Sequence, residues 1–215
     1  INQLINNLGE GYKPKTVIFF DGVNDTLHNC RSDNKNIPNY GRDFQIAKAI
    51  NYQKNKINFI SDTIKNFIIS PYKPLLKNNY SSTNKVYDCH INHKKSKRIA
   101  KHLINNWYSA YLISKANKAN FRAILQPTLF TSDVSYEYFS NKSKKDLNHY
   151  KKQLDIIYTF AREEIKNVCI KDKEFCNKII DGSSWLFKKE NIFFDSCHVT
   201  KEGNKIIAEK ISISL

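Results

Sequence analysis

Two short segments carry residue types that could act together in acyl-transfer chemistry: Gly22-Val23-Asn24-Asp25 and Asp195-Ser196-Cys197-His198. A carboxylate three residues before a histidine can accept the Nδ1 proton of the ring and hold the ring as a general base. An asparagine amide at a neighbouring strand end can donate a hydrogen bond to a developing oxyanion. These residue types predict His198 as the base, Asp195 as the group that orients it, and Asn24 as the oxyanion donor.

Apolar runs that predict buried strands precede both segments. Thr16–Phe20 is a continuous run of β-branched and aromatic residues, and it ends at Asp21. Phe121–Leu125 is a second such run, and Ile192–Phe194 is a third, shorter one directly before Asp195. Ligands of parallel α/β sheets sit at the carboxyl ends of the strands. Both polar segments are therefore expected to converge on one edge of the sheet.

Helical patterns lie between and after the predicted strands. Apolar residues recur at helical spacing in three stripes, and a fourth helix follows the segment that contains His198. Thr200 is the predicted N-cap of that last helix, because its side chain can accept a backbone N–H. The predicted helices span about 57–68, 99–111, 147–168 and 201–211, and residues 1–8 form a further helical segment. Strands that alternate with helices predict an α/β fold with a parallel sheet, built as a single domain over residues 1–215.

A G-x-N-D block after the first strand and a D-x-x-H block before the last helix resemble the SGNH, or GDSL-type, esterase and lipase superfamily. The positions of these two blocks are filled by Gly22, Asn24, Asp195 and His198. The residues around the second block match at Thr200, Gly203 and Ala208. A weaker similarity to a bacterial subgroup lies in Leu103-Ile104-Asn105-Asn106-Trp107 and Leu125-Gln126-Pro127.

The resemblance implies a flavodoxin-like, three-layer α/β/α fold with a parallel sheet. It implies a serine hydrolase in which His198 is the base, Asp195 orients it, and Asn24 and Gly22 line the oxyanion site. The family's nucleophilic serine stands in a G-D-S block that precedes the G-x-N-D block, and the residues before Gly22 contain no such block. We therefore expect an N-terminally incomplete domain, with the N-terminal strands and the nucleophile outside this chain.

The resemblance also implies the substrate class. An O-acyl ester, such as an acetyl ester, on an envelope carbohydrate or on a lipid would be hydrolysed without a metal or an organic cofactor. The alternative is a non-catalytic binding or scaffold module with protein partners in a cell-envelope complex. Local residues are not expected to replace the nucleophile. Ser183 and Ser184 lie in a predicted turn, and Ser196 and Cys197 lie between Asp195 and His198. Cys197 is not expected to reach His198 productively, because neighbouring side chains diverge.

The composition is basic, with a formal net charge of +15 and a pI of about 9.5. Such a charge favours anionic partners: nucleic acid, acidic polysaccharide or lipid head groups. The lysines are scattered along nearly every segment without the aromatic and basic pattern of an RNA-recognition strand, which argues against nucleic acid.

No run of about 18 apolar residues is present, so no transmembrane segment is predicted. The chain starts at Ile1 and contains no methionine, from which we expect a fragment of a longer protein.

Five cysteines are spread over the chain, and their odd number leaves at least one free or paired elsewhere. Cys169 and Cys176 are spaced to close a short loop, for which the chain-entropy model gives about 2–3 kcal/mol. A disulfide through Cys89 is the preferred interpretation of the loop that contains it. The alternative there is a zinc site, with ligands drawn from Cys89, His90, His93, His28 and Cys30. Disulfides favour the cell envelope, as a periplasmic or secreted protein.

Overall fold

The computed structural model describes residues 1–31, 87–135 and 141–215, with side chains described from residue 147 onwards in the last range. We number the helices and strands of these ranges in chain order. The helices are α1 (Asn2–Gly9), α2 (Val23–Leu27), α3 (His93–Ala116), α4 (Asn141–Lys171), α5 (Lys173–Cys176) and α6 (Lys201–Ser214). The strands are β1 (Thr16–Asp21), β2 (Asn120–Leu125) and β3 (Ile179–Asp181), and short 3₁₀ turns cover His28–Cys30 and Leu129–Thr131.

The three strands form one parallel sheet in the order β1-β2-β3. Thr16 lies beside Asn120 at the start of the first ladder, and Ala123 lies beside Ile179 at the start of the second. β2 has a partner on each side, and its residues from Ala123 onwards are fully buried. A central strand covered on both faces needs a continuous apolar run, which is the pattern that predicted it. The predicted α/β fold with a parallel sheet is confirmed at this level.

The third predicted strand, Ile192–Phe194, is wrong as a member of the sheet. Phe193 instead forms an isolated antiparallel bridge with Val199, and the third strand of the sheet is β3. Ile192 is buried against Gly203 of α6, whereas Phe194 is largely exposed. β3 was not predicted, because its three residues are too few to show a strand pattern.

Four of the six helices in the described ranges correspond to predicted ones, whereas α2 and α5 were not predicted. α3, α4 and α6 cover three of the predicted helical segments, and α1 covers the N-terminal one. Thr200 is the N-cap of α6, because its side chain accepts the Gly203 N–H at 3.3 Å. The helix predicted near residues 57–68 lies outside the described residues. Across the described ranges, no helix combines the length and the apolar character needed to cross a membrane.

Helices contact β2 from both faces of the sheet. Phe121 packs with Tyr111 of α3, with the ring centroids 6.0 Å apart. The next residue, Arg122, donates from Nε to the Ser214 carbonyl at the end of α6, at 2.8 Å. Successive side chains of a strand point to opposite faces. The contact with α3 and the contact with the end of α6 are therefore made on opposite faces of the sheet, while α3 also packs along α4.

Two disulfides cross-link the described residues: Cys30–Cys89 and Cys169–Cys176. The second is the predicted short-loop bridge, and it ties the end of α4 to α5. The first confirms a disulfide through Cys89 and identifies Cys30 as its partner. Cys197 is a free thiol, in agreement with the odd number of cysteines.

Candidate active site

Asp195 and His198 form a hydrogen-bonded pair in the loop that precedes α6. Asp195 Oδ2 lies 2.7 Å from His198 Nδ1. The other carboxylate oxygen, Oδ1, accepts the backbone N–H groups of Cys197 and His198, each at 2.8 Å. Aspartate commonly holds a turn by accepting N–H groups a few residues downstream. The D-x-x-H spacing therefore shapes the turn and also aims the carboxylate at the ring.

A short antiparallel bridge closes the loop that carries the pair. The Phe194 N–H donates to the His198 carbonyl, and the Thr200 N–H donates to the Ile192 carbonyl, each at 2.8 Å. The Thr200 side chain then caps the first turn of α6. The bridge and the helix cap together brace the turn on which Asp195 and His198 stand.

The pair is open to solvent, with side-chain exposures of 52% for Asp195 and 71% for His198. Partial burial acts to raise the pKa of Asp195, but the N–H groups of Cys197 and His198 and the imidazole outweigh it, so this pKa lies below its ordinary value. The carboxylate is therefore ionised at neutral pH and can accept the Nδ1 proton of a neutral ring. Nε2 then carries the lone pair, and none of the described residues forms a hydrogen bond with it. This nitrogen is available to take a proton from a bound group.

Gly22 and Asn24 stand where β1 ends and α2 begins. Gly22 is buried so closely that an added Cβ would lie 3.0 Å from Gln126 Cγ and would clash with the Tyr158 hydroxyl. The close approach therefore requires glycine at this position. Asn24 is exposed in the first turn of α2, and its side-chain amide has no hydrogen-bond partner within the described ranges. The amide is free to donate to a ligand.

Gln126 and Leu129 connect the two segments at the end of β2. The side-chain oxygen of Gln126 accepts the Val23 N–H at 3.4 Å. The Leu129 N–H donates to the Ser196 carbonyl at 3.1 Å. Both segments therefore contact the short stretch of chain that leaves the carboxyl end of β2, although Asp195 does not follow a strand of the sheet as predicted. No hydrogen bond joins Asn24 to His198 in the described part of the chain.

Gln126 is a site residue that the motif analysis did not identify. The sequence signal for it is Leu125-Gln126-Pro127, in which the proline ends β2 and leaves Gln126 at the strand end. The Tyr158 hydroxyl of α4 donates to the Gln126 carbonyl at 3.0 Å, and burial raises the pKa of this hydroxyl. These two residues are separated by 32 positions, so no local pattern could predict their contact.

Asp21 and Trp107 tie the first segment to α3. Trp107 is fully buried and donates from Nε1 to Asp21 Oδ2 at 2.9 Å. Burial and the neighbouring Asp25 carboxylate raise the pKa of Asp21 to about 6, against the opposing effect of the Trp107 hydrogen bond. Trp107 ends the stretch Leu103–Trp107, which therefore contacts the chain at the end of β1, shortly before Asn24.

Among the described side chains, none occupies the position of a nucleophile beside His198 Nε2. The expectation that Cys197 and His198 diverge is wrong, because Cys197 Sγ lies 3.8 Å from His198 Nδ1. The approach is to Nδ1, which already faces Asp195. Burial and the Asp195 carboxylate raise the pKa of this thiol to about 11, so it is protonated at neutral pH. Ser183 is buried in a turn, and its hydroxyl accepts a hydrogen bond from Arg162 at 2.8 Å.

The alternative prediction of a zinc site around residues 89–93 is wrong in naming its two cysteines as ligands. Cys30 and Cys89 are joined in a disulfide, so neither offers a thiolate. His90 Nδ1 lies 2.6 Å from the side-chain nitrogen of the fully buried Gln153. The His90 backbone N–H donates to the oxygen of the same side chain at 3.0 Å. These contacts make the loop a structural link to α4.

No protein-family model, curated protein or solved structure matches this chain. A functional assignment must therefore come from the residues of the site and from their geometry.

Proposed function

We propose that this chain carries the histidine-bearing part of an SGNH-type serine ester hydrolase. The observation that supports the proposal most strongly is the Asp195–His198 pair, with Oδ2 and Nδ1 2.7 Å apart and Nε2 open to a partner. A carboxylate that holds an exposed imidazole in this way is the histidine half of a catalytic triad. The exposed amide of Asn24, at a strand end linked to the same loop through residues 126–129, supplies the oxyanion donor.

His198 is the general base of the proposed reaction. Its Nε2 takes the proton of a serine hydroxyl as the serine oxygen attacks the ester carbonyl, and Asp195 stabilises the imidazolium that forms. The tetrahedral intermediate then expels the alcohol, which receives the proton from Nε2, and an acyl-enzyme remains. Water, deprotonated by the same nitrogen, attacks the acyl-enzyme and releases the carboxylic acid and the free serine.

Asn24 is assigned to the negative oxygen of the tetrahedral intermediate. Its amide can donate without breaking a hydrogen bond, since it has none to the described residues. Gly22 lines the same site, and its close packing on Tyr158 and Gln126 fixes the strand end from which Asn24 projects. A donor fixed before the reaction needs little reorganisation when the oxyanion forms.

The helices and the sheet edge support a three-layer α/β/α domain of the SGNH type. α3 and the end of α6 contact opposite faces of β2. β1 pairs only with β2 among the described residues, and its Ile18 is 41% exposed. A further parallel strand would pair at this free edge, directly beside the strand that ends at Gly22. In our proposal, that further strand carries the nucleophile.

The proposed substrate is an O-acyl ester, such as an acetyl ester, on an envelope carbohydrate or on a lipid. The net charge of +15 favours the anionic surfaces on which such groups occur. The two disulfides favour an oxidising compartment. Both observations support the proposal that the protein belongs to the cell envelope, either in the periplasm or secreted.

Replacement of His198 in the complete protein tests the proposal. We expect His198→Ala to lower turnover of p-nitrophenyl acetate by at least about 10⁴-fold, with an unchanged far-ultraviolet circular dichroism spectrum. The matched control is His93→Ala, which removes an exposed histidine that packs edge-on against Phe160 at 5.9 Å and has no part in the pair. The control is expected to keep normal turnover. Normal turnover in His198→Ala would exclude His198 from the mechanism.

A second candidate function is binding without catalysis. The observation that favours it is that no hydroxyl or thiol of the described residues stands at His198 Nε2. Labelling of the complete protein with a fluorophosphonate distinguishes the two functions. A labelled serine that requires His198 supports the hydrolase, whereas a folded protein that takes no label and hydrolyses no ester supports a scaffold module.

A further inference from the structure

Three metal-ligating atoms converge in the loop that precedes α6. A carboxylate oxygen of Asp195, Sγ of Cys197 and Nδ1 of His198 all lie within 4.8 Å of one another. Carboxylate, thiolate and imidazole are the three side-chain ligand types of zinc sites in proteins. The cluster is accessible from solvent, since Cys197 is partly exposed and the other two residues are exposed.

The spacing of these atoms is close to that of a tetrahedral site. Zn–S and Zn–N bonds of about 2.3 and 2.0–2.1 Å place the sulfur and nitrogen of one ion roughly 3.6 Å apart. Cys197 Sγ lies 3.8 Å from His198 Nδ1. Asp195 Oδ2 lies 2.7 Å from the same nitrogen. This distance must increase by roughly half an ångström for the oxygen and the nitrogen to bind one ion. Asp195 is half exposed, so this is a side-chain adjustment, and water can supply the fourth ligand.

The backbone that presents the three ligands is already fixed. Asp195 Oδ1 accepts two backbone N–H groups, and the bridge between Phe193 and Val199 closes the loop. Binding of an ion therefore does not have to order a flexible segment, which is a main cost of assembling a metal site from a loop. Three ligands on one short turn, with a fourth position open to water, form an exchangeable site.

We propose that Asp195, Cys197 and His198 bind a thiophilic divalent cation of the Zn²⁺ class, which switches off the general base. Coordination uses the Nδ1 lone pair, so the neutral ring carries its proton on Nε2 and cannot accept another. The Cys197 thiol releases its proton to solvent when it binds the ion, and the ring proton moves through solvent from Nδ1 to Nε2. One proton is released for each ion bound, and no oxidation or reduction takes place. The inhibitory role rests on the proposed function, whereas ion binding does not.

Cobalt(II) binding to the protein tests the site without any need for catalysis. A thiolate-to-cobalt charge-transfer band in the near ultraviolet reports ligation by Sγ, and added Zn²⁺ displaces it. We expect stoichiometric Co²⁺ to produce this band in the wild type and Cys197→Ser to abolish it. We expect His198→Ala to weaken Zn²⁺ binding by at least about tenfold. The control His93→Ala is expected to bind like the wild type.

Each outcome decides for or against the site. A band that survives Cys197→Ser places the metal on another cysteine and overturns the proposal, as does a wild type without any band. Inhibition of ester hydrolysis by Zn²⁺ that requires Cys197 supports both the site and its regulatory role. The complete protein could show a Cys197-dependent band and yet hydrolyse no ester. That result would support the metal site and contradict the proposed function.

Discussion

Asp195 uses its two carboxylate oxygens for two different purposes. Oδ1 holds the backbone of the turn, and Oδ2 faces Nδ1 of His198. One side chain therefore holds the turn and also orients the imidazole of His198. Cys197 lies beside this pair, with its Sγ 3.8 Å from His198 Nδ1.

Removal of the Asn24 amide tests the oxyanion assignment. We expect Asn24→Ala to lower kcat for p-nitrophenyl acetate by about 10²–10³-fold, equivalent to about 2.7–4 kcal/mol. KM should change little, because the donor acts mainly on the transition state. Steady-state kinetics of the complete protein measure both constants. Asn105→Ala, which truncates an exposed asparagine of α3, is the matched control. A kcat for Asn24→Ala equal to that of the control would exclude Asn24 from the oxyanion site.

The buried carboxylate of Asp21 predicts a pH-dependent stability. Its pKa is raised from 3.8 to about 6, so the folded state binds a proton more tightly than the unfolded chain does. Proton binding by Asp21 therefore adds to the free energy of unfolding below about pH 4, and this contribution is lost as the pH rises towards 6. Asp21→Asn keeps an oxygen for the Trp107 N–H and removes the titration. We expect the free energy of unfolding of the variant, minus that of the wild type, to increase by up to about 3 kcal/mol between pH 4 and 7.

Urea denaturation at several pH values, followed by tryptophan fluorescence, measures this difference. The comparison with the wild type cancels the titration of groups that do not interact with Asp21. A difference that stays constant from pH 4 to 7 would show that Asp21 has an ordinary pKa in the folded protein.

The sequence was informative about those site residues whose contacts are local. The pairing of Asp195 with His198 follows from a spacing of three residues on one turn, and the Thr200 cap likewise depends on a neighbour in the next turn. The contacts of Gln126 with Val23 and Tyr158 depend on how separate elements pack, and no spacing encodes them. The position of Cys197 Sγ beside Nδ1 was missed because it depends on the rotamer that the turn selects.

At the scale of elements, the two disulfides should differ in their contribution to stability. Cys30 and Cys89 are 59 positions apart, and Cys169 and Cys176 are 7 apart. The chain-entropy model gives about 4 kcal/mol for the longer loop and about 2.5 kcal/mol for the shorter one. The longer bridge is also fully buried, so its removal leaves a cavity in the core.

We therefore expect the double variant Cys30→Ala/Cys89→Ala to lose more stability than Cys169→Ala/Cys176→Ala. Denaturation in guanidinium chloride without reductant measures both losses, and the second variant serves as the control for removal of two cysteines. Equal losses would show that the Cys30–Cys89 bridge closes no effective loop in the unfolded chain.

Strands were predictable where burial on both faces requires an unbroken apolar run. That condition holds for β2. β1 was also found at its predicted position, but the expectation that it is buried on both faces is wrong, since Ile18 is 41% exposed and only Val17 is buried. The condition failed for Ile192–Phe194, in which Ile192 and Phe193 are buried without joining the sheet and Phe194 is 68% exposed. The helices were easier to predict, because α3 and α4 are long enough for several turns of the same apolar stripe.

At the scale of the whole molecule, the order of the strands decides where the site lies. β2 is the central strand of the described sheet, and the chain that leaves its carboxyl end contacts both polar segments. The sequence predicted a parallel sheet but not the order of its strands, because strand pairing depends on packing between elements that are distant in the sequence. The central position of β2 allows its end to connect the segment after β1 with the loop before α6.

This strand order predicts a gradient of hydrogen exchange across the sheet. β2 is paired on both sides and buried, so its amides should exchange slowest. β1 is paired on one side within the described residues, and amides of a strand point alternately to its two sides. We therefore expect alternate amides of Thr16–Asp21 to exchange rapidly in the protein of this sequence, as measured by residue-resolved hydrogen exchange. Uniform slow exchange along β1 would mean that its outer edge is covered, and would contradict the free edge at which we place the nucleophile-bearing strand.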